Sequence, residues 1–142
     1  MSKIAVVYWS GTGNTEAMAN AVAEGAKNAG ANVTVYTAPE FGASLAEEFD
    51  AIAFGCPSMG AEQLEESEFE PFFAELEGSL SGKKVALFGS YDWGDGEWMR
   101  NWYDRTKSAG AVMIQEEGLI VNNEPDEEAK EACRALGAKM VG

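Results

Sequence analysis

The 142-residue chain contains no histidine. Without imidazole there is no His-ligated metal site and no His-based acid–base or triad chemistry, which removes most hydrolases. Cysteine is nearly as scarce. Cys56 and Cys133 stand far apart with no CxxC or zinc-ligand spacing, so neither a metal site nor a disulfide framework is supported. Such cysteines read as small buried hydrophobes of an intracellular protein. Basic residues number 10 against 24 acidic ones, giving a formal charge of −14. A surface so negative repels nucleic-acid phosphates and anionic lipid, so neither nucleic acid nor membrane is expected as a partner. No stretch approaches the roughly 20 apolar residues of a membrane span. The apolar run near the N-terminus is too short for a signal peptide and lacks a cleavage region. A cytoplasmic protein is the expectation.

What the chain does have is enough apolar material, 46%, for one core in a single domain over residues 1–142. Lys3 to Trp9 is a continuous apolar run, the signature of a strand buried on both faces of a parallel sheet. Asn14 to Ala29 has helical spacing and stops at Gly30; Asn32 to Thr37 alternates like a strand. Ser44 and Glu47 suggest a capping box for a short helix. Ala51 to Cys56 reads as a third strand ending at Pro57. Phe69, Phe72, Phe73 and Leu76 define an amphipathic helix, with Pro71 tolerated in its first turn. A fourth strand is expected over Lys83–Gly89, a helix over Glu97–Ala109 and a short fifth strand over Leu119–Val121. A final helix starts near Glu124-Pro125-Asp126. Strands alternating with helices throughout predict an α/β fold with a doubly wound parallel sheet. In that architecture ligands sit beyond the carboxyl ends of the strands.

The loop after the first strand reads Ser10-Gly11-Thr12-Gly13-Asn14-Thr15. Its glycines permit a tight turn, the helix behind it offers free N–H groups, and three hydroxyls add donors. It is not a P-loop, because no GK[ST] follows, and it lacks the third glycine of a dinucleotide fingerprint. A phosphate nest without a cation suits one terminal monoester phosphate. The plainer reading is a turn that merely caps a helix, although two glycines and three hydroxyls exceed what a cap needs.

This loop resembles the FMN-phosphate loop of flavodoxins, with its hydroxyl, Thr, Gly and Thr spacing. The resemblance extends to Gly55-Cys56-Pro57-Ser58-Met59-Gly60 and to Gly89-Ser90-Tyr91-Asp92-Trp93-Gly94-Asp95-Gly96. All three segments are similar to the short-chain flavodoxins of anaerobic bacteria, which lack the insertion that splits strand five in the long-chain group. It implies a five-stranded sheet of order 2-1-3-4-5 with helices on both faces, one non-covalent FMN, and a monomer. By resemblance, Ser10 to Thr15, Ser58 and Ser90 hold the phosphate. Met59 covers one face of the isoalloxazine and Trp93 the more exposed one. Glu62 accepts the N3–H, while Tyr91 and Asn123 reach the ring edge or ribityl chain. Gly94 belongs to the Trp93 loop. Trp98 and Trp102, four apart, read instead as core. Trp9, at the end of the first strand, reads first as core and second as a neighbour of the cofactor.

In the turn Met59-Gly60-Ala61-Glu62, glycine at the first central position signals a type II′ turn. That turn is expected for the semiquinone form of the cofactor, with the oxidised form held in another strained or cis arrangement. The resemblance makes the Gly60 carbonyl the acceptor for the reduced N5–H. Two positions depart from the family pattern: Asp92 stands where Gly is common, and Ala61 where Asp, Asn, Ser or Gly is frequent. With Asp92, Glu62 and Asp95 near the ring and no cation, the anionic hydroquinone is destabilised. That implies a low-potential carrier shuttling between semiquinone and hydroquinone. Ala61 to Glu77 holds seven glutamates and no basic residue, either a solvated face or a rim that steers basic docking surfaces of ferredoxin-linked oxidoreductases. The alternative is an FMN-dependent NAD(P)H:quinone reductase on the same fold, which needs an open flavin face that Trp93 would cover. A receiver-type signalling domain would need acidic residues where this chain has Trp9 and Pro57.

Overall fold

The computed structural model describes residues 2–141. Strands and helices alternate in the order β1 (Lys3–Tyr8), α1 (Asn14–Asn28), β2 (Asn32–Thr37), α2 (Ala43–Ala46), β3 (Ala51–Gly55), α3 (Phe69–Leu76), β4 (Lys84–Tyr91), α4 (Glu97–Ser108), β5 (Val112–Met113), β6 (Leu119–Asn122) and α5 (Glu127–Met140). All strand pairings are parallel, in the order β2-β1-β3-β4-β5, with β6 continuing alongside β4. Central strands lack alternation because both faces are covered: Ile4 to Val7 and every residue of β3 are buried. At the edge, β2 buries only one side, and the alternation returns at Val33 and Val35.

On one face α1 and α5 pack over Ile4, Val6, Ala53 and Phe88. The two helices approach closely through Gly25 and Gly137. A Cβ on Gly25 would lie 1.9 Å from the Arg134 carbonyl oxygen, and one on Gly137 2.0 Å from that of Val22. The other face is aromatic. Phe54, Phe69, Phe73, Trp98 and Trp102 form its core beneath α3 and α4, confirming Trp98 and Trp102 as packing residues. Arg105 of α4 ties the two helices together through Glu70 at 2.7 Å and Glu77 at 3.0 Å, its guanidinium lying over the Phe73 ring.

Three local expectations are corrected. The capping box forms at Thr37 and Glu40, where the Glu40 carboxylate accepts the Thr37 N–H and hydroxyl, each at 2.7 Å. Ser44 lies inside α2, so it cannot cap it, and α2 starts from Gly42 with no side-chain cap. The fourth strand runs on to Tyr91, placing Ser90 and Tyr91 in regular structure, held by pairing with Val121 and Asn122. The fifth sheet position is filled in two pieces. β5 pairs with Lys84 and Val85, β6 with Phe88 to Tyr91, and Ile114 to Gly118 stand opposite only Ala86 and Leu87. Gln115 bridges this interruption: its Oε1 accepts the Leu87 N–H at 2.9 Å and its Nε2 donates to the Leu87 carbonyl at 3.2 Å. A side-chain amide thus does what a strand peptide would have done. Because neighbouring strands are parallel and the order reverses between β1 and β3, their carboxyl ends open a crevice at one edge of the sheet.

Candidate functional site

The turn after β1 is folded by its own serine. Ser10 Oγ accepts the N–H groups of Gly13 at 3.0 Å and Glu16 at 3.3 Å. Gly13, at φ 98°, is the N-cap of α1 in a conformation that glycine adopts without cost. The N–H groups of Thr12, Asn14 and Thr15 find no protein acceptor among the described residues. Thr15 is buried, and its hydroxyl shares a 2.8 Å hydrogen bond with that of Ser90, also buried. Their bond uses one hydroxyl proton and leaves the other to donate outward. Thr12 is exposed at the mouth.

Beyond the strand ends lies a cleft of about 290 Å³, in which Gly11, Thr12 and Asn14 face Ser58, Met59, Ser90, Tyr91, Asp92 and Asn123. Ser58 is fixed by its N–H to the Ser90 carbonyl at 2.9 Å, and Asn123, at φ 61°, by its N–H to the Tyr91 carbonyl at 2.7 Å. An adjoining cleft of about 530 Å³ shares Trp9, Gly11 and Thr12 and takes in Ser10 and Gly13. No lysine or arginine lines either cleft. Gly60, Ala61, Glu62, Trp93 and Gly94 are not among the walls of the 290 Å³ cleft; they form loop tips outside it. Met59 and Trp93 are 39% and 59% exposed, two of the three large hydrophobic side chains left exposed among the described residues. Exposed apolar groups on two loops of one edge are what a planar ligand would cover.

Trp9 takes both places that the sequence left open, against the core and at the clefts. It is half-buried, lines both clefts, and its indole N–H donates to Glu68 Oε1 at 2.8 Å. Pro57 and Glu68 are cleft residues that the sequence reading does not single out. The available signal was position: each stands at or beyond a strand's carboxyl end.

The turn after β3 also differs. Met59 and Gln63 exchange backbone hydrogen bonds at 2.8 and 2.9 Å, so the loop closes one residue later than the type II′ turn expected of the N5–H-bonded form, and with trans peptides among the described residues. Gly60 has the expected positive φ of 53°, but Glu62 takes a second one, 52°. Glu62 Oε2 accepts the Glu97 N–H at 2.8 Å, at the start of α4. Asp95 pairs with Arg100 at 3.0 Å, both exposed. Asp92 has no cationic partner among the described residues.

The acidic run proves largely structural. Glu65 is buried, and its carboxylate accepts the N–H groups of Ser67, Glu68 and Phe69 at 2.9, 2.7 and 2.9 Å, plus the Ser67 hydroxyl. Burial would raise its pKa, but these donors outweigh burial and hold it at about 2. Glu62, Glu68, Glu70 and Glu77 are engaged as described above, which leaves Glu66 and Glu75 as free surface charges. Both thiols are buried, and burial pushes their pKa values up, Cys133 to about 11, so they are unreactive packing groups.

A doubly wound parallel sheet whose first turn holds unpartnered N–H groups at a helix start, beside a cleft with apolar rims and no basic lining residue, is the architecture of mononucleotide-binding α/β proteins. Comparison with known proteins narrows the class. The sequence model of the flavodoxin family matches residues 6–137, and the chain belongs to that family. It is 49% identical to the flavodoxin of Clostridium beijerinckii over 96% of this chain and 97% of that one. The solution structure of two-electron-reduced Megasphaera elsdenii flavodoxin superposes with a TM-score of 0.87 at 47% identity, covering 96% and 97% of the two chains. A flavodoxin from the domain Archaea gives a TM-score of 0.88 at 28% identity, covering 97% and 95%. Flavodoxins are electron-transfer proteins that bind FMN, not enzymes. The unpartnered N–H groups of the first turn, the absence of a lining cation and the exposed Met59 and Trp93 fit that cofactor.

Proposed function

We propose that this chain is a low-potential one-electron carrier whose working step is the second reduction of bound FMN. In this reading it is a cytoplasmic monomer that serves ferredoxin-linked redox enzymes through their basic docking surfaces. When bound, FMN supplies the one-electron redox chemistry, and the protein sets its environment. The N–H groups of Thr12, Asn14 and Thr15, with the hydroxyls of Ser10, Thr12, Ser58 and the Thr15–Ser90 pair, receive the phosphate. Met59 and Trp93 cover the two ring faces. Glu62 accepts the N3–H and the Gly60 carbonyl the N5–H, while Tyr91, Asn123 and the Ala61 turn border the ring.

One observation carries the low potential: Asp92 lines the cleft with no cation to offset it. Negative charge beside a group that gains negative charge lowers its reduction potential. The quinone-reductase alternative is not favoured, because the relatives that match along nearly the whole chain are flavodoxins.

Anaerobic reductive titration of the yellow holoprotein against reference dyes tests the reading. Two separated one-electron steps are expected, the second at the lower potential. A single two-electron step, accompanied by NAD(P)H-driven quinone turnover, would favour the enzyme. A protein that binds no FMN would refute both.

A further inference from the structure

The loops carrying Met59 and Trp93 arise from different strands, yet one side chain joins them. Glu62 ends the Met59 loop in the left-handed region, at φ 52°, where a residue with a Cβ is disfavoured. Its Oε2 accepts the N–H of Glu97, the first residue of α4, at 2.8 Å. Its Oε1 lies over Gly94, where a Cβ would come within 2.3 Å. Three features therefore agree: a strained backbone that aims the carboxylate, a helix N-terminus that holds it, and a glycine that leaves room for it. Gly96, the N-cap of α4, has no side chain that could satisfy this helix end. The bond spans 35 positions of sequence.

We propose that Glu62 is a positioning residue, a clasp that borrows the open N-terminus of α4 to fix the Met59 loop against the Trp93 loop before the cofactor arrives. The clasp is a property of the apoprotein. Its effect on the cofactor rests on the reading that the cleft takes FMN. Held loops spend less conformational entropy when a ring enters between them, so the clasp strengthens binding by pre-organisation. This role is separate from accepting the flavin N3–H, because it needs the Glu97 N–H and not the ligand.

Two measurements decide it. In the apoprotein, the Glu97 amide should exchange with solvent slowly, and Glu62→Gly should accelerate that exchange by about tenfold or more. Glu62→Gly also relieves the positive φ, so a general loss of stability is not expected to mimic the result. Equal exchange of the Glu97 amide in both proteins overturns the clasp. The second arm removes the donor and leaves the carboxylate intact: Glu97→Pro places proline at the first helical position, where its missing N–H disrupts no helical bond. Because proline also disfavours the ψ of 13° at Gly96, the double variant separates that strain from the lost clasp. FMN titration should show roughly tenfold weaker binding, and Glu62→Gly with Glu97→Pro should bind no more weakly than Glu62→Gly alone. Unchanged FMN affinity in folded Glu97→Pro, or losses that multiply in the double variant, overturns the positioning role. Should Glu97→Pro lose its helical circular dichroism, Gly94→Ala replaces it: the added methyl displaces the Glu62 carboxylate and also strains a backbone at φ 90°. The clasp then requires Gly94→Ala to weaken FMN binding less on the Glu62→Gly background than in wild type, and an equal loss on both overturns the positioning role. Failure of the wild-type protein to bind FMN would refute the proposed function, while the exchange measurement would still judge the clasp.

Discussion

At the residue scale, the turn after β1 separates two threonines that look alike in the sequence. Thr15 is buried and hydrogen-bonded to Ser90, whereas Thr12 is exposed at the mouth. Thr15→Ala strands the Ser90 hydroxyl in the interior, so urea denaturation of the apoprotein should show a loss of about 1–3 kcal/mol. Thr12→Ala should leave that stability within about 0.5 kcal/mol and weaken FMN binding instead, measured by fluorescence titration. The carboxylates divide in the same way. Asp95 is paired with Arg100, Glu62 is held by α4, and Asp92 is left uncompensated at the cleft. Asp92→Asn should therefore raise the second reduction potential by about 40 mV, equivalent to roughly 1 kcal/mol at a solvent-screened site. Asp95→Asn should move it much less. Potentiometry of the two variants checks this, and equal shifts would show that Asp92 acts only through the overall charge. Motif and spacing reached most of these residues, but they could not say which hydroxyl turns inward or which acid is already paired. Those depend on partners far away in sequence, such as Ser90 for Thr15 and Glu97 for Glu62.

At the element scale, periodicity located the strands and long helices to within a residue or two, because burial on a fixed period is a local property. What it missed was set by tertiary partners. The break between β5 and β6 is such a case, since Gln115 looks polar and loop-like until Leu87 lies opposite it. Gln115→Leu leaves the Leu87 N–H and carbonyl without partners in a buried strand, and should cost roughly 2–4 kcal/mol in denaturant unfolding. Gln115→Asn is too short to reach both groups and should recover little of that loss. The start of α3 offers a pH-dependent counterpart. Glu65 has a folded pKa of about 2 against 4.5 for a free carboxyl, the burial that opposes ionisation being outweighed by donors from Ser67, Glu68 and Phe69. A lowered folded pKa stabilises the protein fully above the unfolded value, and this contribution is lost as pH falls from about 4.5 through about 2. A depression of this size corresponds to roughly 3 kcal/mol. Urea denaturation across that range should show Glu65→Gln less stable than wild type at about pH 6, with the gap closing toward pH 2. A gap independent of pH would mean that the carboxylate contributes only its shape.

At the scale of the whole molecule, the charge of −14 is unevenly placed, and the fold shows how. Lys3 and Lys84 open β1 and β4, Lys83 precedes β4, and Lys27, Lys107 and Lys139 lie in the last turns of α1, α4 and α5. In a parallel α/β sheet, strand starts and helix ends share one edge. Six of the seven lysines therefore gather opposite the cleft, beside Asp50, while Glu16, Asp92, Glu97 and Asp126 stand at the cleft end and outnumber Arg100 and Lys130 there. Composition alone gave the sign of the charge; only the topology converts it into a direction. The resulting field presents the cofactor edge to a cation and turns it away from an anion. A test needs no partner protein. Reoxidation of the reduced flavin by hexaamminecobalt(III) should slow as salt is added, and by ferricyanide should quicken, each on the order of tenfold between low and high ionic strength. Asp92→Asn with Glu97→Gln should flatten both salt slopes, whereas Lys27→Gln with Lys107→Gln, which changes the net charge by two in the opposite sense, should steepen them, and by far less. If the far-end pair steepened the slopes as much as the cleft-end pair flattened them, net charge would govern encounters, and the orientation of the field would have no part in bringing a redox partner to the cleft.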